Sequence, residues 1–279
     1  MLSDKQSELL EGWLPGYKIV EDLTWDIAQT TVHRVEAGGE YFTVKAGTKY
    51  NNHIRREIAA HETVLINPTL APRVPRLIAE DRDHRILVTT RIPGQLIDDS
   101  VKESDPDVLF QAGQFLRALH DTEHGTDETL NRNLVNAALK WLDKPHVIEP
   151  DKADQARELL QAYTEVSPAV VSSHGDYSGR NWLWTGDGLA VIDFGRFGHR
   201  PASHDFIRMF FRRWHDHPKE AEPFFSGYGQ EPADVYGQDW WYTILREAVA
   251  TACWARAVDD REFEALGLRF IDIALKKLD

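Results

Sequence analysis

His174, Asp176 and Asn181 fall within the eight residues HGDYSGRN, and Asp193 follows twelve positions after the asparagine, in VIDFG. Two carboxylates, an amide oxygen and an imidazole can do two kinds of work. Aspartate and asparagine oxygens suit a hard cation such as Mg²⁺, which keeps water and phosphate oxygens in the rest of its shell. A second carboxylate standing apart from the metal can orient a hydroxyl and accept its proton, a role worth about 10²- to 10⁴-fold in rate. The competing reading is a polar turn before a hydrophobic strand, and HGD alone is compatible with that.

What separates the readings is the element between the two segments. Thr185-Gly186-Asp187-Gly188 is a turn cluster flanked by NWLW and LAVID, the pattern of a β-hairpin. Pairing Trp184 with Leu189 sets Asn181 beside Ile192; a register one residue away sets it opposite Asp193. Either register brings Asn181 and Asp193 to one end of one ribbon, next to the loop bearing Asp176. His174 then reads as a loop-shaping residue, because the adjacent aspartate has the better-defined role.

Upstream, short strand patterns recur at 17–20 (YKIV), 30–35 (TTVHRV), 41–45 (YFTVK) and 85–90 (RILVTT), with Ala37-Gly38-Gly39-Glu40 as a hairpin turn. One helix interrupts them, capped by Asn51 or Asn52, with Ile54, Ile58, His61 and Leu65 on one face and Asn67-Pro68 at its end. After Pro93-Gly94 the pattern is mainly helical. Asp105 and Pro106 open one helix, and residues 152–163, 239–258 and 261–276 read as others. A small strand-rich lobe followed by a larger helical one is expected.

HGDYSGRN and VIDFG resemble the catalytic loop and metal loop of the aminoglycoside phosphotransferase family, which includes choline-kinase-like and other small-molecule kinases and is similar in fold to the protein kinases. The resemblance covers about residues 17–210, the remainder matching only in helical character. It implies an α+β, two-lobed, protein kinase-like fold: residues 1–92 as the nucleotide-binding lobe, a linker at about 90–94, and 93–279 as the helical lobe with the acceptor site. It implies ATP and Mg²⁺ as cofactors, Asp176 as the catalytic carboxylate, and Asn181 and Asp193 as metal ligands. Kinase-like chemistry also needs a strand lysine and a helix glutamate to hold it. Lys45, ending YFTVK, and Glu57, in IRREIAAHETVL, fill those places, with Glu62 as the fallback. Without the strand-then-helix placement the two would read as a surface ion pair worth about 0–1 kcal/mol. In LVTTRIPG the resemblance implies adenine contacts at the Thr90 carbonyl and the Ile92 amide, with Thr89 behind the pocket. His120 is expected to be structural, and Asp205, in RPASHDFIRMF, to hold the backbone of the catalytic loop.

Composition narrows the partners. Forty-five acidic against 32 basic residues give a formal charge of −13, which disfavours nucleic acid and anionic membranes. The one cysteine, Cys253, excludes an internal disulfide and reads as a buried thiol in ATACWARA. No apolar run approaches membrane-spanning length and MLSDKQSELL lacks a signal-peptide pattern, so a cytoplasmic location is expected. The histidines at 199, 204, 215 and 217 read as solvated loop residues, the aromatics from Phe224 to Tyr242 as core, and DDREFE at 259–264 as an acidic first helical turn.

Two departures from the family bear on function. DLTWDIAQTTVHR, between the first two strands, has no glycine-rich pattern, so backbone amides and Thr or Gln side chains are expected to cover the phosphates. Arg196 follows the metal-loop Asp-Phe-Gly, where a cation could help bind an anionic substrate or pair with a neighbouring acid; it argues mildly against a polycationic acceptor, and the acidic overall charge argues mildly the other way. The expected activity is transfer of the γ-phosphoryl group of ATP to a hydroxyl of a small molecule such as an aminoglycoside, sugar or amino alcohol. The alternatives are a nucleotide-binding regulatory protein of the same fold and a protein kinase, the latter disfavoured by the nine residues between Gly195 and Asp205. A metallophosphoesterase would need Asp-x-His and Gly-Asn-His motifs, and neither occurs.

Overall fold

The structure is a computed structural model that describes residues 2–24, 30–163, 169–237 and 239–279. Its first helix, α1 (Asp4–Trp13), starts from a reciprocal cap in which Ser3 and Gln6 satisfy each other's backbone N–H groups. Strands β1 (Lys18–Asp22), β2 (Thr30–Ala37) and β3 (Glu40–Gly47) run antiparallel. Gly38 and Gly39, at φ of 61° and 84°, make the turn between β2 and β3 that a residue with a Cβ would strain. Helix α2 (His53–Thr63) follows, then β4 (Leu77–Asp81) and β5 (Ile86–Thr90) complete a sheet of order β1-β2-β3-β5-β4.

Side chains alternate across this sheet. Val44, Ala46, Ile86 and Val88 face α1, packing on Leu10 and Leu14. Lys45 pairs with Leu87 and Thr43 with Thr89 in the register, so the other face carries the lysine, while Leu87 packs on Ile54 and Ile58 of α2. The N-cap of α2 is Asn52, which makes no side-chain cap bond; the residue before it, Asn51, accepts at Oδ1 from His53 N at 2.7 Å while its Nδ2 donates to Thr30. Farther along, Ala60, Val64 and Leu65 join the core of the helical region. Helix α2 therefore belongs to both cores and ties the sheet to the rest of the chain.

After the linker, β6 (Gln95–Leu96) leads into α3 (Pro106–His120), whose cap is Asp105 accepting from Asp107 N. Then come β7 (His124–Thr126), α4 (Leu130–Leu142), α5 (Pro150–Ala162) and β8 (Ala169–Ser173). The ribbon of β9 (Trp182–Trp184) and β10 (Leu189–Val191) has Leu189 opposite Trp184, the first of the two registers considered above. Beyond it lie β11 (Gly198–Arg200), α6 (Ile207–Met209) running into a π-helical turn, α7 (Ala221–Tyr228), α8 (Pro232–Tyr236), α9 (Trp240–Ala257) and α10 (Arg261–Leu278).

Phe224, Phe225, Tyr228 and Trp240 are buried core residues. Cys253 is buried and its thiol is pushed up to about 11, chiefly by burial. Two of the histidines correct the expectation of solvated loops. The His215 ring packs edge-on against Phe210 and Phe270, and burial pushes His204 down to about 4. Among the described residues no helix is long and apolar enough to cross a membrane.

Candidate active site

Lys45 rises from the middle of β3 toward α2 and is held by two acids. Its Nζ lies 2.9 Å from each Glu57 carboxylate oxygen and 2.7 Å from Asp193 Oδ1, reaching across 148 residues of sequence. Glu57 is buried, whereas the Asp193 side chain is half exposed. Burial would lower the lysine, but the two facing carboxylates hold it above its ordinary range. Burial pushes Glu57 up despite Lys45. Burial would also raise Asp193, yet the Lys45 ammonium and its hydrogen bond keep it well below the usual carboxylate range. Asp193 takes a φ of 65°, a left-handed conformation that costs a non-glycine residue of order 1–3 kcal/mol. Glu62, the fallback partner, is instead ion-paired to Arg82.

The HGD loop hangs from one buried carboxylate. Asp205 Oδ1 accepts from Gly175 N at 2.7 Å, and Oδ2 accepts from His174 N and from His120 Nε2, each at 3.0 Å. His120 in turn contacts the Tyr228 hydroxyl at 2.8 Å. Burial would raise Asp205, but the His120 hydrogen bond and the neighbouring His120, His174 and His204 rings hold it far below the ordinary value. Gly175 has a φ of 79°, and a Cβ there would sit 2.4 Å from the Arg196 carbonyl oxygen, so this backbone crossing needs glycine. His174 is fully buried and donates from Nε2 to the Ile192 carbonyl, pinning the loop to the residue that follows β10.

Asn181 ends that loop one residue before β9. Its backbone carbonyl accepts from Ile192 N at 3.0 Å, closing the ribbon, and its Nδ2 donates to the Asp176 carbonyl at 2.8 Å. With the amide nitrogen so engaged, Oδ1 is the atom left for a cation.

Asp176 is 4% exposed and ringed by guanidinium groups. Arg180 bonds Oδ2, and Arg208 Nε stands 3.5 Å from Oδ1. Burial would raise the carboxyl; Arg180, Arg208 and Arg196 outweigh it and hold Asp176 below its ordinary range. Oδ1 is buried and has no hydrogen-bond partner among the described residues. Arg180, Arg196 and Arg208 also line a cleft of about 860 Å³ together with Trp141, Trp254 and the start of α10.

Thr90 and Ile92 sit half-buried where β5 enters the linker, and Thr90 is fixed there by bonds to and from the Arg76 backbone. Of the segment expected to cover the phosphates, residues 25–29 lie outside the described residues. Arg208 and Glu247 went unnoticed in the sequence. Arg208 stands three residues after Asp205, one turn along the same helical start, which is the only signal that could have drawn attention to it.

A sequence profile of the phosphotransferase enzyme family matches residues 20–240. No curated protein sequence matches the chain. Among solved structures, the gentamicin complex of aminoglycoside phosphotransferase APH(2")-IIa is 17% identical with a TM-score of 0.69, over 97% of this chain and 96% of that one. A ternary complex of a thermostable mutant of APH(4)-Ia with ADP and hygromycin B is 14% identical with a TM-score of 0.71, over 98% of each chain. Choline kinase LicA from Streptococcus pneumoniae is 13% identical with a TM-score of 0.70, over 97% of each. The chain shares their two-lobed, kinase-like α+β fold.

Proposed function

Because the chain belongs to the phosphotransferase enzyme family, we propose that it transfers the γ-phosphoryl group of ATP to a hydroxyl of a small molecule, with Asp176 at the acceptor and Lys45 at the nucleotide. The observation that carries this reading is the single ammonium of Lys45 bridging Glu57 and Asp193, with Asp176 Oδ1, which has no hydrogen-bond partner among the described residues, in the loop that precedes the β9–β10 ribbon. The bound ADP and hygromycin B of one neighbour and the gentamicin of another are consistent with it.

Each residue has a share of the work. Glu57 fixes Lys45 in the cleft, where its ammonium is placed to bind the α- and β-phosphates. The Thr90 carbonyl and Ile92 amide are assigned to adenine. Asp193, held ionised and half exposed, and the Asn181 amide oxygen form a donor set that fits Mg²⁺. Bound there, the metal would supply neutralisation of the phosphate charge. Asp176 Oδ1 receives the acceptor O–H. A carboxylate held below its ordinary range is a weak base, so Asp176 orients the hydroxyl and takes its proton late, as a loose phosphoryl-transfer transition state allows. Catalysis is then mainly positioning and charge stabilisation.

The test is acceptor-dependent ATP consumption. The full chain, ATP and Mg²⁺ are offered aminoglycosides, sugars, hydroxy acids, sugar phosphates, choline and homoserine, and products are scanned by mass spectrometry for one added phosphoryl group. ATP turnover that no acceptor accelerates would overturn the proposal in favour of a regulatory nucleotide binder.

A further inference from the structure

Charge in the acceptor cleft is unevenly distributed. At the reacting end, Arg180, Arg196 and Arg208 surround one carboxylate, Asp176. The next acid is Glu247 on α9, which feels Arg208 as well as Arg246, Arg200 and His204. The three guanidiniums at the reacting end therefore face Asp176, with Glu247 reaching Arg208 and Asp193 reaching Arg180, and both of these further acids are shared with other cations.

Elsewhere in the same cleft the arginines are neutralised one by one. Arg212 pairs with Asp98 at 2.9 Å, Arg213 with Glu220 at 2.7 Å and Glu103 at 3.3 Å, and Arg269 with Asp216. Arg196 makes no hydrogen bond or ion pair with another described residue. An unpaired guanidinium is unexpected in a chain with thirteen more acids than bases. Arg208 is three-quarters buried on its side chain, at 3.5 Å from Asp176, with its other face over the Phe263 ring. Burial and the neighbouring Arg196 and Arg180 charges disfavour its charged form. Keeping such cations partly desolvated and underpaired costs free energy unless an anion arrives to meet them.

We infer that the acceptor is an anion: a hydroxy compound whose phosphorylated hydroxyl lies near a carboxylate or phosphate held by Arg196 and Arg208. This rests on the kinase reading only for the word acceptor. The anion site itself stands on the arginines. Asp260 and Glu262, at the start of α10 beside the Phe263 ring that Arg208 covers, also line the cleft and offer a place for a neutral or cationic group of the same ligand. A polycation would have to set its amines against the arginines to bring a hydroxyl to Asp176. The cleft volume of about 860 Å³ lies within the usual range for small ligands, so a hexose-sized acid fits.

A charge series on one scaffold tests this. The full chain is first saturated with AMP-PNP and Mg²⁺, which closes the nucleotide site to competing anions. Glucose 6-phosphate, gluconate, glucose and glucosamine are then titrated by calorimetry. The two anions should bind about tenfold or more tightly than glucose, with glucosamine weakest. Arg196→Gln and Arg208→Gln should each weaken the anions about tenfold while changing glucose and AMP-PNP affinity by less than about twofold. Arg208→Lys serves if Arg208→Gln unfolds. Anions binding no tighter than glucose would overturn the inference. So would arginine variants that lose AMP-PNP affinity and keep anion affinity, because these cations would then serve the nucleotide. Charge-selective binding without phosphoryl transfer upholds the anion site and removes the kinase reading. Transfer to glucosamine or an aminoglycoside in preference to the anions does the reverse.

Discussion

The two halves of the site are built with opposite charge. On the side proposed for the nucleotide one cation, Lys45, is shared by two carboxylates, Glu57 and Asp193. On the side proposed for the acceptor one carboxylate, Asp176, is shared by Arg180 and Arg208, with Arg196 close enough to feel. Each half therefore lacks a counter-charge, and the missing charges differ in sign. The first can take a divalent cation with the phosphates it binds; the second can take an anion. The backbone that separates them is short and rigid, because Asn181 and Ile192 are bonded across the ribbon and His174 and Gly175 hang from Asp205.

The largest effect should come from the acceptor side. Asp176→Asn keeps the shape and removes the charge that orients the hydroxyl, so kcat should fall about 10²- to 10⁴-fold while AMP-PNP affinity changes by less than about twofold. Steady-state kinetics and calorimetry on the same preparation measure both. A variant near the parental rate would break the assignment of Asp176 to the acceptor, and one that loses AMP-PNP binding would break the separation of the halves.

Next in size is the support beneath both halves. Asp205→Ala strands two backbone N–H groups and the His120 ring in a buried place, and removing one partner of such a charged network costs about 3–5 kcal/mol. Urea unfolding should register that loss. Asp205→Asn, which can still accept through one oxygen, should lose less. Equal stability of parent and Ala variant would mean that the loop is held by its own packing.

How much of this was legible in sequence follows from how local each feature is. The β9–β10 ribbon is a contiguous turn between apolar strands, so its pattern fixes Asn181 near Asp193, and only the choice between two registers needed coordinates. The Asp105 cap and the break after Pro93-Gly94 are equally local. Strand β4 was not legible because LIAED is half-exposed throughout and lacks the alternation of a one-sided strand. Helix α4 is not among the helices expected from the sequence, although Val135, Ala138 and Leu142 recur at helical spacing. The arginine ring could not be assembled from the sequence, in which only Arg196 stands out. Arg180, Arg196 and Arg208 come from three separate segments, and only the return of the chain beneath the HGD loop, fixed by Asp205, brings the third to the other two.

The nucleotide side supplies the third test. Lys45→Met leaves Glu57 and Asp193 without their shared cation, and loss of charge-assisted hydrogen bonds to phosphate should weaken AMP-PNP binding about 10- to 100-fold. If the halves are independent, glucose 6-phosphate affinity in the cleft should hold within about twofold. An equal loss of both would merge them into one site.

The smallest effect is a pH dependence that lies on the nucleotide side. His61, on α2, is 6% exposed, has no partner for Nε2 among the described residues, and meets the Phe194 ring of the metal loop edge-on at 6.4 Å. Burial, with a smaller push from Lys45, lowers it to about 4 from 6.5. A folded-state value below the unfolded one means that the unfolded chain takes up the proton first. Stability is therefore complete above about pH 6.5 and falls as the pH drops toward 4, by about 2 kcal/mol at pH 5. Asp176, Asp193 and Asp205 are all held below the ordinary 3.8 and do not titrate in this window. His204, also lowered to about 4, contributes in the same window from the far side of the HGD loop. His61→Leu fills the place with an apolar group and should remove only the His61 share. Urea midpoints at about pH 7 and pH 5 should thus differ less in the variant than in the parent. Identical acid losses would show that His61 is not a source of acid sensitivity beside Phe194, and would leave His204, His174 and His53, all lowered chiefly by burial, as the sources.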